Sequence, residues 1–365
     1  MVIKSLFKDL YQNKKVLITG HTGFKGSWLT LWLKELGAEI LGYSLSIPTK
    51  PSHFELLGLD IKTVFGDIRD AEKLKQTFQE FQPEIVFHLA AQPFVRASYK
   101  DPRYTYETNV MGTVNLFEAV RQTPSVKVVV NITTDKCYEN REWVYGYREN
   151  DPMGGYDPYS NSKGCSELIT ASYRNSFFNA EDFGKTHNVS LASVRAGNVI
   201  GGGDWGEDRL IPDFARALSK SETLVLRNPQ ATRPWQHVLE PLSGYLKLGS
   251  LMYQNGAKYS SGWNFGPQDS HHLTVEEIVK QSLKIWGSGK YKVIPDKELH
   301  EAMLLKLDIS KAQYYLNWQP VYDSAQTIEE SIKWYKEYYS GHHNMRAYSI
   351  KQIEDYIDKR NVKEN

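Results

Sequence analysis

Short apolar runs alternate with helix-like patterns through the first half of this sequence. The runs that we expect to form strands are 15–19, 39–43, 63–67, 85–92, 126–132 and 189–194. Asp70–Phe81 and Tyr104–Arg121, which lie between such runs, carry apolar residues at helical spacing. The run 126–132 is apolar at almost every position, which is typical of a strand buried on both faces. Strands that alternate with helices predict an α/β fold with a parallel sheet.

The alternation becomes less regular after the sixth run. Leu210 begins a helical pattern, and Asp308 is placed to cap the start of another. Ile328, Ile332 and Tyr335 share one face of the last helix that the pattern indicates. We therefore expect a second, smaller unit of mixed α/β structure in this part of the chain.

A glycine-rich turn, Gly20–Gly26, separates the first strand from a buried helix pattern. A strand, a glycine turn and a helix in this order form a dinucleotide-binding fingerprint, because glycines let the backbone approach a pyrophosphate at the helix N-terminus. The GxxGxxG spacing is one residue wider at its start than the standard fingerprint. The sequence predicts a Rossmann-type, doubly wound parallel sheet that binds a dinucleotide.

The segment after the second strand bears on which dinucleotide is bound. A standard fingerprint has an acid about 20 residues past the glycines for the adenosine ribose. This chain has Ser44–Ser46 there instead. No arginine stands at this position to hold a 2′-phosphate, which favours NAD over NADP, although Lys50 is close enough to leave the choice open. Asp67, which ends the third strand, is placed to hydrogen-bond an adenine amino group.

Two polar clusters predict proton chemistry. Tyr159 and Lys163 are four residues apart, so a helix places both side chains on one face. A phenol has an unperturbed pKa of about 10. An adjacent ammonium group should lower this pKa, so that the phenol can take a proton from a substrate hydroxyl. Thr133–Lys136 follows the fifth strand, and ligands bind at the carboxyl ends of strands in open α/β sheets.

Composition and charge exclude several other classes. Apolar residues make up 41% and charged residues 24% of the 365 positions, which is ordinary for a globular protein. A net charge of +1 indicates no nucleic-acid partner. With 2 cysteines, no signal-peptide pattern and no apolar run of about 18 residues, we expect a cytoplasmic protein without a membrane span. The sequence has no HExxH or CxxC spacing, so we expect no metal.

The glycine turn and the Tyr/Lys pair resemble the extended short-chain dehydrogenase/reductase family along nearly the whole chain. Four motifs look like those of its nucleotide-sugar 4,6-dehydratases: Thr19–Trp28, Thr133–Asn140, Tyr159–Cys165 and Arg233–Leu242. The resemblance implies an NAD-binding domain at 1–197 with later returns near 234–266, and a smaller substrate domain formed mainly by 198–365. It also implies CDP-glucose as the substrate. A homodimer or a dimer of dimers is expected through the helices around Tyr104–Arg121 and Tyr159–Arg174.

The resemblance also implies roles for individual residues. The expected catalytic residues are Thr134, Asp135, Lys136, Tyr159 and Lys163. The expected NAD-binding residues are Gly20, Thr22, Gly23, Phe24, Lys25, Gly26, Asp67, Ile68, Leu89, Ala90, Ala91, Asn109, Thr133, Tyr159 and Lys163. The expected substrate-binding residues are Gln92, Thr134, Asn198, Arg209, Leu210, Arg227, Arg233 and Asn264.

The chemistry that the resemblance implies is a dehydration in which NAD is consumed and restored. Tyr159, assisted by Lys163 and Thr134, would remove the C4 hydroxyl proton as hydride leaves C4. Water would then leave from C5 and C6, and hydride would return to C6. Asp135 is the expected acid for the leaving oxygen, a role in which burial must raise its pKa. Lys136 stands where the dTDP-glucose dehydratases carry a glutamate base. It would act either as a neutral base at C5 or as a cation that stabilises an enolate.

Two alternatives remain. A nucleotide-sugar 4-epimerase of the same fold would return hydride to C4, and the Asp135–Lys136 pair argues against it. A non-enzymatic NAD-binding regulator would not need the complete set of Tyr159, Lys163 and Thr134.

Overall fold

The computed structural model describes residue 3 and residues 6–268, 273–294, 304–341 and 344–364. The outermost residues of the two expected domains, 1–2 and 365, lie outside this description. The strands in chain order are β1 Lys15–Thr19, β2 Glu39–Ser44, β3 Lys62–Phe65, β4 Ile85–His88, β5 Val128–Ile132, β6 Ser190–Ala196, β7 Val199–Ile200, β8 Leu224–Leu226, β9 Thr232–Arg233, β10 Gln236–His237, β11 Gly262–Phe265, β12 Leu273–Thr274 and β13 Tyr291–Val293. The α-helices are α1 Phe24–Glu35, α2 His53–Leu57, α3 Ala71–Phe81, α4 Val95–Lys100, α5 Pro102–Tyr106, α6 Gly112–Arg121, α7 Pro158–Ser176, α8 Leu210–Ser219, α9 Leu239–Asn255, α10 Val275–Trp286, α11 Ser310–Leu316, α12 Ser324–Tyr339 and α13 Met345–Glu364.

The central sheet is parallel and has seven strands in the order β11-β6-β5-β4-β1-β2-β3. The chain builds β1 to β3 in one direction, then crosses back to place β4 on the other side of β1. This reversal opens a crevice at the carboxyl ends of β1 and β4, where a doubly wound sheet binds its ligand. In the register of these two strands, Thr19 lies beside His88.

Alternation along the strands directs side chains into two cores. Val16 and Ile18 belong to the core on one face of the sheet, whereas Leu17 belongs to the core on the other. All five residues of β5 are buried, as its continuous apolar run predicts. His88 is buried too, and its Nδ1 lies 2.7 Å from the Thr19 hydroxyl. It is therefore a hydrogen-bonded residue of the core.

The second half of the chain is mixed α/β. β11 extends the central sheet beside β6, while three small two-stranded sheets pair β7 with β10, β9 with β12 and β8 with β13. Helix α11 begins at Ser310, whose N–H donates to Asp308 Oδ1 at 2.7 Å, as the sequence pattern predicts.

The sequence pattern was wrong about the end of the chain. The helix that carries Ile328 and Ile332 is followed by another, α13, which runs to Glu364. This helix contacts α1, α2 and α12 and buries Ile353 and Ile357. Its apolar residues are dispersed among many charged ones, so its packing against other helices, rather than its own pattern, stabilises it.

The helix predicted at 104–121 also differs in detail. It begins at Pro102 and contains a π-helical turn, Glu107–Met111, between α5 and α6. Such turns depend on local packing and leave little trace in an apolar pattern. Within the described ranges, no helix has the length and apolar character needed to cross a membrane. No group of three or more His, Cys, Asp or Glu side chains suited to a metal ion occurs among those residues.

Candidate active site

The glycine turn joins β1 to α1. Gly20 has φ +73°, a left-handed conformation that favours glycine. A Cβ at Gly26 would lie 2.1 Å from the Gly20 carbonyl oxygen, so the turn closes only around glycine at this position. Gly23 differs, because a Cβ there would meet only that oxygen at 3.4 Å. No side chain in the described part of the chain caps α1 at Gly23, which leaves the N–H groups of its first turn for an anionic ligand.

The glycine turn forms hydrogen bonds with residues at the end of β2 and just after it. Thr22 Oγ1 donates to the Ser46 carbonyl at 2.7 Å, and Ser44 Oγ lies 2.8 Å from His21 Nδ1. Phe24, the first residue of α1, is half-buried against the core. The segment expected to recognise ribose therefore also holds the turn in place.

Lys25 brings a positive charge from α1 into the same crevice. Burial, followed by repulsion from Lys163 and Arg209, lowers the pKa of Lys25 to about 7. Asp135 opposes this effect, and Lys136 adds to it. The glycine turn and the polar segment after β5 thus meet in one electropositive pocket.

The segment after β5 forms a short 3-10 turn, Asp135–Cys137. Thr134 caps this turn and donates from Oγ1 to Asp135 Oδ1 at 2.9 Å. The Asp135 side chain is 1% exposed, and Lys136 Nζ lies 3.4 Å from its Oδ1. The other carboxylate oxygen, Oδ2, is buried and has no hydrogen-bond partner among the described residues. It is therefore suited to a ligand hydroxyl.

Tyr159 lies beside this segment, but its pKa differs from the expectation. Burial, together with the charge of Asp135, raises the pKa of Tyr159 to about 12, although the Thr134 hydroxyl and the charge of Arg209 act in the opposite direction. The prediction that an adjacent ammonium group lowers the pKa of Tyr159 is wrong for the protein without bound ligands. Desolvation of the phenolate outweighs the nearby cations.

Lys163 occupies the same face of α7 one turn later. Asp157 caps the helix by accepting from Ser160 N at 3.0 Å, and proline occupies the first helical position. The Lys163 ammonium donates to the Ile132 carbonyl at 3.2 Å, and burial lowers its pKa to about 8. Lys163 thereby connects α7 to the end of β5.

Small residues follow β4 on the other side of the crevice. Leu89 N and Ala90 N both donate to Thr19 Oγ1 at 3.2 Å. A Cβ on Gly20 would lie 2.7 Å from Ala90 N. Leu89, Ala90 and Ala91 remain half-buried, so this backbone is accessible to a flat ligand.

Two residues expected to contact ligands form hydrogen bonds within the protein. Asn109 exchanges hydrogen bonds with the backbone of Gln92 at 2.8 and 3.1 Å and donates to Ser162 Oγ at 2.9 Å. The Gln92 side chain donates to Thr105 Oγ1 and accepts from Phe94 N. Both side chains are buried. They hold the loop after β4 against α7, and their expected contacts with NAD and substrate remain predictions.

Asp67 stands at the carboxyl end of β3, as expected. Its carboxylate accepts from Arg69, through both the guanidinium and the backbone N–H, and these bonds lower its pKa. Ile68 is buried against Gly112, where a Cβ would lie 2.6 Å from Ile68 Cγ2. Contact with adenine remains a prediction for both residues.

The second half of the chain supplies further residues that are expected to line the crevice. Arg209, just before α8, forms an ion pair with Asp204 at 2.8 Å, and its guanidinium lies 5.1 Å from the centre of the Phe94 ring. Leu210 begins α8 and is half-buried. Asn198 Oδ1 is buried and lacks a partner among the described residues, so it is available to a ligand.

Arg227 and Arg233 are two further residues that we expect to bind substrate. Arg227 pairs with Asp208 at 2.7 Å, and Arg233 donates to the Thr232 carbonyl at 3.0 Å. Both arginine side chains keep solvent-accessible area. Binding of a diphosphate by these two residues remains a prediction.

Asn264 is a further substrate candidate that is hydrogen-bonded within the protein, and its contact with substrate remains a prediction. It is fully buried in β11. Its Oδ1 accepts from Tyr138 Oη at 2.8 Å, and its Nδ2 donates to the carbonyls of Tyr147 and Asp308. The amide is saturated, so it anchors the loop after the catalytic turn to the sheet.

Two residues without an expected role lie directly behind the site. Glu167 is four residues past Lys163 on α7, and it pairs with Arg195 of β6 at 2.7 Å. Continuing the Tyr159–Lys163 spacing by one more turn would have indicated Glu167. Nothing in the sequence pattern indicates that Arg195 is its partner, because that contact joins distant segments.

The fold and the site together define the class: the chain has the crevice, glycine turn and Tyr/Lys helix of an extended short-chain dehydrogenase/reductase. The chain belongs to the family described as GDP-mannose 4,6 dehydratase, whose model matches residues 17–331. This confirms the resemblance that the motifs indicated.

Individual relatives differ in their similarity. A CDP-glucose 4,6-dehydratase of Salmonella typhimurium is 55% identical over 353 residues, covering 96% of this chain and 98% of that protein. A UDP-glucose 4-epimerase of Mycolicibacterium smegmatis is 26% identical and covers 88% of this chain and 98% of its own. The crystal structure of a dTDP-glucose 4,6-dehydratase from Streptomyces venezuelae, solved with NAD bound, has a TM-score of 0.75 at 23% identity, covering 91% of this chain and 99% of that one. The predicted Rossmann-type α/β fold is confirmed.

Proposed function

We propose that this protein is a lyase that converts CDP-glucose into CDP-4-dehydro-6-deoxyglucose and water, with NAD as its cofactor. The observation that carries the proposal is the buried Asp135, which lies against Lys136 and accepts from Thr134, whose hydroxyl also acts on the pKa of the Tyr159 phenol. The 55% identity to the Salmonella CDP-glucose 4,6-dehydratase supports this substrate. The epimerase alternative has less support, because the epimerase similarity is 26%.

The residues of the crevice fit NAD. The space in front of Gly23 and the N-terminus of α1 suit a pyrophosphate, and Lys25 adds positive charge beside them. The half-buried backbone at Leu89–Ala91 and the ammonium of Lys163 are available to the nicotinamide half. When bound, NAD supplies the redox chemistry, by accepting hydride from C4 of the sugar and returning it to C6.

The protein supplies a path for the C4 hydroxyl proton. Overall dehydration requires that this proton leaves in the water formed from the C6 hydroxyl. The Thr134 hydroxyl acts on the pKa of the Tyr159 phenol and donates to Asp135 Oδ1 at 2.9 Å. Because its raised pKa keeps the phenol protonated, Tyr159 can pass its own proton through Thr134 to Asp135 while it accepts the substrate proton. Asp135 then holds the proton that the leaving oxygen needs.

Lys136 acts at C5 in this proposal. Its ammonium lies 3.4 Å from Asp135 Oδ1. As a cation it stabilises the enolate that forms when C5 loses its proton. Alternatively, Lys136 loses its proton to solvent and then, as a neutral amine, accepts the C5 proton itself.

A mass measurement tests the proposed function. We expect purified protein incubated with CDP-glucose and NAD to yield a sugar nucleotide lighter by one water, without net consumption of NAD. A product of unchanged mass but altered stereochemistry would instead identify a 4-epimerase. Unreacted CDP-glucose would favour the non-enzymatic regulator and contradict the proposal.

A pair of glycine variants tests the cofactor site. We expect Gly23→Ala to weaken NAD binding about tenfold or more, because its methyl group would occupy the space in front of the helix N-terminus. Its melting temperature without NAD should change little, since the Cβ makes an ordinary 3.4 Å contact. Gly26→Ala should lower both quantities, since its Cβ would lie 2.1 Å from the backbone. Calorimetry and thermal melting measure the two effects, and unchanged NAD affinity in Gly23→Ala would contradict this placement.

Assembly and compartment complete the proposal. We infer a homodimer, or a dimer of two such dimers, formed through α5–α6 and α7. Supporting this, Tyr106, Met111, Leu168 and Phe177 on these helices or at their ends are large apolar side chains exposed to solvent. The unpaired thiols of Cys137 and Cys165 are consistent with a cytoplasmic location.

A further inference from the structure

A buried ion pair lies behind the face of α7 that carries Tyr159 and Lys163. Glu167 follows Lys163 by one turn, so the three side chains lie on one face of the helix. Its carboxylate pairs with the Arg195 guanidinium at 2.7 Å, and the two side chains are only 3% and 5% exposed. Charges buried to this extent are retained only where other groups satisfy them.

The carboxylate of Glu167 ties α7 to the ends of two central strands. Its Oε1 accepts from Thr133 Oγ1, on the residue that follows β5. Its Oε2 accepts from Ser193 Oγ of β6 at 2.6 Å as well as from Arg195. Thr133 immediately precedes Thr134 and Asp135, so Glu167 anchors the segment that carries the proposed proton path.

Arg195 forms hydrogen bonds with residues that follow the Asp135–Cys137 turn. Its NH1 donates to Tyr138 Oη at 2.5 Å and to the Glu149 carbonyl at 3.0 Å. Tyr138 directly follows the Asp135–Cys137 turn. The ion pair therefore has contacts both before and after the turn.

Glu167 also acts electrostatically on Lys163. Burial lowers the pKa of Lys163, and the charge of Glu167 is the largest influence in the opposite direction. Other titratable groups face Lys163 from neighbouring elements: Lys25 of α1, His88 of β4 and Cys137 of the turn after β5. Burial keeps His88 and Cys137 in their neutral forms, because it lowers the pKa of the imidazole to about 3 and raises that of the thiol. Glu167 is thus the carboxylate that balances the ammonium of Lys163 from behind.

We propose that Glu167 is a positioning residue for the dehydration, which holds Lys163 in its charged form and fixes the segment at Thr133, with Arg195 as its counter-ion. This inference rests on the proposed function and extends it to a residue that does not touch the reacting atoms. Protonated Lys163 is then the form that supports turnover. Loss of its proton should define the basic limb of the pH–rate profile.

The test compares Glu167→Gln with the double variant Glu167→Gln/Arg195→Gln. The single variant leaves a buried guanidinium without its partner, so we expect a marked drop in melting temperature. The double variant removes both charges and should recover much of that loss. In both, the basic limb of the kcat profile for CDP-glucose should move to lower pH by about one unit, because Lys163 loses the carboxylate that keeps it charged. The NAD affinity should fall over the same pH range, and it is measured without substrate.

A remote carboxylate provides the matched control. Glu276→Gln makes the same chemical change at a half-buried side chain in the first turn of α10, and its pH profile should match that of the wild type. A double variant that melts normally and keeps the wild-type basic limb would overturn the role of Glu167. Wild-type protein that leaves CDP-glucose unreacted would overturn the proposed function itself. The two failures are therefore distinguishable.

Discussion

Tyr159→Phe is expected to lower kcat for CDP-glucose dehydration by about 10²- to 10⁴-fold, the range that a positioned proton-transfer group contributes. The substitution removes the phenolic oxygen that accepts the C4 hydroxyl proton but keeps the ring that fills its site. It also removes the group that would pass a proton through Thr134 to Asp135, to which Thr134 donates at 2.9 Å. KM should change much less than kcat, because the lost interaction acts on the reaction rather than on binding. Steady-state kinetics with mass detection of the product measures both constants.

Tyr156→Phe is the control for this result. Tyr156 lies three residues earlier, before α7 begins, and its side chain is largely exposed. The same loss of one hydroxyl there should leave kcat within about twofold, as is usual for surface substitutions. If Tyr159→Phe retained a kcat close to that of the wild type, the proton path from Tyr159 to Asp135 would be wrong.

Lys136→Met is expected to stop the exchange of the C5 hydrogen with deuterated solvent while oxidation at C4 remains detectable. Methionine keeps the length of the side chain but can neither accept a proton nor carry a positive charge. The 4-keto sugar nucleotide should therefore accumulate without losing water. Mass spectrometry in deuterium oxide reports oxidation, exchange and dehydration in one experiment. Exchange at the wild-type rate would exclude both roles proposed for Lys136.

Lys136→Arg separates these two roles. Arginine stays protonated at any pH that the protein tolerates, so it cannot serve as a base. If Lys136 stabilises the enolate as a cation, the arginine variant should retain measurable exchange. If Lys136 is the C5 base, Lys136→Arg should be as deficient in exchange as Lys136→Met.

The parts of the site that were predictable from the sequence are those made by neighbours in the chain. Tyr159 and Lys163 share a helix face because of their spacing, and Thr134, Asp135 and Lys136 are adjacent residues after one strand. The Gly20–Gly26 turn was recognisable because a strand, glycines and a helix follow one another directly. Periodicity and turn chemistry act over a few residues, so a linear pattern contains them.

Sequence patterns do not reveal how burial and partners from distant segments act on a polar side chain. The amides of Gln92, Asn109 and Asn264 are buried and hydrogen-bonded by the protein, which the motifs did not indicate, and their ligand contacts remain predictions. The rise in the pKa of Tyr159 has the same origin, because desolvation depends on everything packed around the phenol. Helix α13 was missed because its contacts with α1, α2 and α12, more than its own sequence, stabilise it.

The sequence by itself determined the class of fold, the order of the first six strands, and the chemical groups available at the carboxyl ends of β1, β4 and β5. Only the tertiary structure decided how these groups are used. It paired Glu167 with Arg195, placed Arg209 over the Phe94 ring and brought Lys25 to Lys163. The physical reason is that local patterns specify backbone conformation, whereas charge balance and proton affinity depend on desolvation and on contacts between residues far apart in the chain.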